Sequence, residues 1–165
     1  MRATLLLVPG LALLLSSCAA RTGPPAPPVP NKKELPGKWK NTSPGEFVED
    51  YEFGDDGTFK VNFHGMAKPV TGKYSWSDDR TLDLEYDTPD DVQEAYRAAA
   101  KAEKELVHKR IKSGVMLPQA GPPLLASIRD ELPAKDSVRV SINEKPPLLF
   151  VNREGVSTQT YEKEE

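Results

Sequence analysis

Sulfur chemistry is almost missing from this sequence. Its 165 residues include one cysteine, Cys18, so the chain can form no internal disulfide and no thiolate cluster for a metal. Histidine is nearly as scarce, with only His64 and His108. His64 falls on the polar face at the end of a predicted strand, and His108 lies off the apolar stripe of a predicted helix. Neither has a local partner at ligand spacing, and both read as solvent-exposed. No Gly-rich phosphate loop, nucleophile elbow or zinc pattern occurs. The paired carboxylates Asp55-Asp56, Asp78-Asp79 and Asp90-Asp91 stand where turn or helix-start chemistry accounts for them, rather than as an acid–base pair. These shortages speak against an enzyme, a metal centre or a bound cofactor.

Positive charge is also in short supply. The whole chain carries 22 basic and 25 acidic side chains, and residues 35–165 carry 18 against 24. That leaves no electrostatic footprint for nucleic acid. Long apolar runs are missing too. The longest, Ala3–Leu15, is broken by Pro9 and Gly10 and falls short of the roughly 20 residues that span a bilayer.

What is present is alternation. From Tyr51 to Tyr86, steps of two place Tyr51, Phe53, Phe59, Val61, Phe63, Tyr74, Trp76, Leu82, Leu84 and Tyr86 on one face. Glu52, Lys60, Asn62, Lys73, Ser75, Asp83 and Glu85 fall on the other. This period marks antiparallel strands with one face on a core and one in water. The Gly54-Asp55-Asp56-Gly57 and Ser77-Asp78-Asp79-Arg80 segments supply the turns of an up-and-down meander. Further strands follow at Val138–Ile142, Leu148–Val151 and Val156–Tyr161. About eight in all suffice to close a small barrel around side chains or one small ligand.

Between the fifth and sixth strands the period changes. Residues 88–132 read as a helical insertion. A long helix starts with Thr88 as N-cap and Pro89 at the first position, runs to Lys112 and ends at Gly114. Its apolar stripe is Val92, Tyr96, Ala99, Leu106, Val107 and Ile111. A shorter helix is predicted over Pro122–Leu132. The loop between them holds Val115, Met116 and Leu117. These could cover a barrel mouth, meet a partner or fill a gap in the core, and core filling is preferred because exposed apolar runs are usually hidden.

The N-terminus reads as a targeting signal over residues 1–17, with Arg2 before the apolar run. Leu15-Ser16-Ser17-Cys18 resembles the lipobox of bacterial lipoproteins. That resemblance implies acylation of Cys18, anchoring of the mature chain to a membrane of the cell envelope, and, since Ala19 is not acidic, an outer-membrane position where the host has one. Two or more acyl chains give stable attachment without a spanning helix. Residues 18–34, rich in proline, read as a semi-rigid tether of roughly 50 Å in polyproline II geometry. The folded domain is then 35–165.

Its opening, Leu35-Pro36-Gly37-Lys38-Trp39, followed by Tyr51-Glu52-Phe53 through Asp56-Gly57-Thr58-Phe59, Gly72-Lys73-Tyr74 and Thr81–Leu84, resembles the bacterial lipocalin-like domains found on lipoproteins. The resemblance implies a lipocalin-like barrel that Gly37 and Trp39 close at one end. The basic residue that packs on this Trp has its nearest counterpart in Arg153, in the turn Asn152-Arg153-Glu154-Gly155. It also implies a pocket for a small apolar ligand, for which Tyr51, Phe53, Phe63, Tyr74, Trp76 and Tyr86 are the candidate lining. The same aromatic face serves equally well as a filled core. In that alternative the domain is a structural or protein-interaction module of the envelope, working through its helical insertion.

Overall fold

The computed structural model describes residues 29–42, 47–153 and 158–164. Cys18, the apolar N-terminal run and most of the proline-rich tether lie outside these residues. The alternating stretch folds as its period predicts. Strands β1 (Gly37–Asn41), β2 (Val48–Phe53), β3 (Thr58–Phe63), β4 (Val70–Trp76) and β5 (Thr81–Tyr86) form an antiparallel meander. After helices α1 (Asp90–Lys112) and α2 (Gly121–Ser127) come β6 (Lys135–Glu144), β7 (Pro147–Asn152) and β8 (Gln159–Lys163). Each strand pairs with the next. β8 returns to β1 through Trp39↔Lys163, Lys40↔Glu162 and Asn41↔Tyr161, which closes an eight-stranded barrel. Closure satisfies backbone groups that an open sheet would expose at its edges.

Local chemistry explains the register. In the β2–β3 turn, Gly57 sits at φ +80°, and Asp56 Oδ1 accepts from the Thr58 N–H at 3.0 Å and its hydroxyl at 2.6 Å. In the β4–β5 turn, Asp78 Oδ1 accepts from the N–H groups of Arg80 and Thr81, both at 2.6 Å. The Thr58 side-chain bond at Asp56 and the Arg80 backbone bond at Asp78, joined by the other bonds of each turn, hold both carboxyls below the usual carboxylate range. Both aspartates are thus occupied in turns. Between the strands, Phe59 lies on Gly72, and a Cβ built there would stand 2.7 Å from the Phe59 ring and meet the Glu85 carbonyl oxygen. The ring covers a position that has no side chain of its own.

One barrel end is closed by the chain that leads into β1. A 3-10 turn, Lys32–Glu34, is capped by the Asn31 side chain, so these residues of the predicted tether end against the barrel. Trp39 is fully buried, and its Nε1–H donates to the Leu35 carbonyl at 2.7 Å. Lys163 Nζ lies 5.2 Å above the indole ring and donates to the Glu34 carbonyl at 2.9 Å. Gly37 has φ +124°, and a Cβ on it would stand 2.8 Å from Lys163 Cε. Lys163, in line with Tyr161 on β8, therefore takes the place expected of Arg153, which lies at the opposite end.

That opposite end is the mouth, where the insertion sits. The main departures from the predicted elements fall here. Pro89, extended at ψ 161°, is the N-cap of α1, and no side chain caps it; the acidic Asp90 and Asp91 face the positive end of the helix dipole instead. Helix α2 stops at Ser127 because Ile128 is already extended. Ile128 and Leu132 are still buried, held by an irregular segment rather than by helix.

Candidate functional site

The six aromatic residues predicted to line a pocket all face the barrel interior, where four of them, Tyr51, Phe53, Phe63 and Tyr86, are buried. Tyr74 and Trp76 are half-buried. Five of the six rings, all but Trp76, meet other aromatic side chains. Tyr51 stacks on Phe53 at 5.4 Å and meets Tyr161 edge-on at 5.3 Å. Tyr74 stands edge-on to Phe53, and Tyr86 edge-on to Phe59, both at 5.2 Å. Trp76 lies near the closed end under Lys32 Nζ. Edge-to-face and offset contacts are the favoured aromatic geometries, and here they fill the barrel.

A cavity of about 30 Å³ lies at the mouth, bounded by Phe47, Phe63, Tyr86, Tyr96, Arg129 and Arg153. It has room for roughly two water molecules. A larger depression of about 540 Å³ is on the outer wall of β4–β6, among Lys73, Ser75, Asp83, Glu85, Lys135 and Ser137.

The floor of the mouth is polar and built around Arg153. This residue follows β7 in the inward phase of Leu149 and Val151. Its Nε donates to Asp136 Oδ2 at 2.9 Å, Nη1 to Gln159 Oε1 at 3.1 Å and Nη2 to the Tyr51 hydroxyl at 2.7 Å. It also hydrogen-bonds the Tyr86 hydroxyl. Tyr161 donates to Gln159 Oε1 at 3.0 Å, and Arg129 reaches the other Asp136 oxygen at 3.1 Å. The guanidinium is thus shared among four strands. Burial pushes the Tyr86 hydroxyl well above the usual tyrosine range, and it raises Tyr96 to about 12.

Helix α1 roofs this floor. Tyr96 packs against Phe47 at 5.5 Å and Phe63 at 5.0 Å. Gln93 Nε2 donates to the Leu132 carbonyl at 2.7 Å. Ion pairs Arg97–Glu131 and Lys104–Asp130 tie α1 to the segment after α2. Glu103 is buried and meets His64 Nδ1 at 2.6 Å through Oε2, while its Oε1 has no hydrogen-bond partner among the described residues. His64 is exposed, as its place on the polar face predicts, and it also joins the β3 end to the helix. The ring of His108, exposed as predicted, bonds to the Lys104 carbonyl at 2.7 Å.

The sequence signal for Glu103 existed: it lies seven residues after Tyr96 and four before Val107, inside the apolar stripe. Its partner, 39 residues away, left none. Arg153 was readable from strand phase. The loop after α1 corrects another expectation. Val115 is 79% and Leu117 64% exposed, so only Met116, packed against the core, fills it.

Among the described residues no group of metal-ligating side chains converges, and no helix is long and apolar enough to cross a membrane. Comparison with protein families, curated proteins and solved structures gives no match to this chain.

Proposed function

We infer that this chain is a lipid-anchored lipoprotein of the cell envelope, held through acylated Cys18. Its lipocalin-like barrel serves as a solid, non-enzymatic scaffold, and its helical insertion meets other molecules. The observation that carries this reading is the interior. The aromatic residues that would line a ligand pocket occupy it themselves, and the cavity of about 30 Å³ at the mouth suits water rather than a lipid or metabolite. Small-molecule sites typically need some 300 Å³ or more. The insertion is fixed to the mouth by Tyr96, His64–Glu103 and Arg129–Asp136, which suits a part that presents a surface.

Two measurements test the two halves of this reading. Native mass spectrometry of the protein released gently from its own envelope should give the mass of the chain with its acyl groups alone. A further non-protein mass lost on denaturation would return the function to a ligand carrier. Cys18→Ser should abolish palmitate labelling and acyl-dependent membrane partition. Labelling that persists would overturn the anchor.

A further inference from the structure

The tip of the insertion differs in charge from the rest of the domain. Residues 106–129 contain Lys109, Arg110, Lys112 and Arg129 and no acidic residue, and residues 113–128 carry no charged side chain. Arg129 is engaged with Asp136, whereas Lys109, Arg110 and Lys112 enter no ion pair among the described residues. Cations in a last turn complement the helix dipole, which accounts for their sign. It does not account for Val115 and Leu117, large aliphatic side chains left mostly in water just beyond them.

The loop that carries them is firmly built. Ser113 N–H donates to the Lys109 carbonyl at 2.9 Å, Gly114 N–H to Ile111 at 3.1 Å, and Met116 N–H to Arg110 at 3.0 Å. Ile111 also sits on Gly121, leaving no space for a Cβ there. Backbone groups bonded within a loop lower the cost of taking it out of water.

We propose that this tip docks onto an anionic lipid surface. Val115 and Leu117 enter the boundary between headgroups and acyl chains, while Lys109, Arg110 and Lys112 reach lipid phosphates. Aliphatic residues that project from a loop beside flexible cations match the chemistry of such an interface. A stable protein interface calls for a patch of some 1,000 Å² in total with aromatic or arginine anchors, more than two aliphatic side chains on a tight loop provide. The proposal goes beyond the scaffold reading and does not require acylation of Cys18.

The test uses the full chain with Cys18→Ser and Gln119→Cys, whose single thiol carries a nitrobenzoxadiazole label beside the intact tip. Vesicles of equal parts phosphatidylcholine and phosphatidylglycerol should shift the emission to the blue and brighten it several-fold. Phosphatidylcholine alone should leave it as in buffer. Lys109→Gln with Lys112→Gln should lower the inserted fraction roughly thirtyfold at limiting lipid, and Val115→Ser with Leu117→Ser should remove the signal. A label at Asp55→Cys, in the β2–β3 turn at the other end, should stay wet. An equal response to both lipids, a response at Asp55, no response at Gln119, or a blue shift without lipid that reports a second copy of the chain would each overturn the proposal.

Discussion

The two ends of the barrel are closed by opposite means. At one, Trp39 and Leu35 are fully buried, and Trp39 Nε1 and Lys163 Nζ donate to backbone carbonyls. At the other, Arg153 and Asp136 join Tyr51, Gln159 and Arg129 beneath a helical roof. The first end is held by apolar area, which is tolerant of direction and insensitive to pH. The second is held by a network in which each group depends on all the others for its hydrogen bonds. The difference teaches where variation is tolerated: the closed end accepts another large apolar group, while the mouth accepts coordinated replacements only.

The comparison can be broken most severely at the closed end. Trp39→Ala should destabilise the fold by about 4 kcal/mol, the usual scale for truncating a large buried aromatic, read as a lower urea midpoint. At the mouth, Arg153→Met should cost about 3 kcal/mol, because Asp136 is left buried without its main partner. Adding Asp136→Leu should recover part of that loss. If the double variant is as unstable as the sum of the singles, the network is not the coupled unit described.

Alkali should separate the two ends by a smaller amount. The Tyr96 hydroxyl titrates near 12 in the fold and near 10 in the unfolded chain. Stability is therefore whole below pH 10 and falls as pH rises toward 12, where the unfolded state gives up its proton first. The loss should reach roughly 2 kcal/mol and shrink in Tyr96→Phe, as followed by chemical denaturation at each pH. Smallest is Lys163→Met, which keeps the side-chain stem but removes the cation above Trp39 and should cost about 0.5 to 1 kcal/mol.

The strands were legible because an interior and an exterior impose a period of two, and residues 51–86 obey it throughout. The insertion was legible because its period changes at Thr88. The network was not, since Arg153, Asp136 and Tyr51 come from distant strands and only barrel closure joins them. Glu103 shows the limit in one residue: its place on the helix face was readable, but its acceptance there depends on His64, which the fold alone delivers. Val115 and Leu117 misled in the other direction. Their apolarity argues for burial, but the tight turn beyond α1 keeps them outside.

The insertion also divides the barrel in time. Within β1–β5 and within β6–β8, neighbouring strands are joined by short connections, and such hairpins form in about 1–10 μs. The β5–β6 seam must wait until residues 87–134 are gathered, and the β1–β8 seam joins the two ends of the domain. Loop entropy and sequence separation make these two seams the expected slow step of folding. Trp39 stands on the second seam, so its fluorescence in stopped-flow refolding should change after most of the sheet signal in circular dichroism has appeared. Before those seams form, β1, β5, β6 and β8 are open edges that can pair with the complementary strands of another copy.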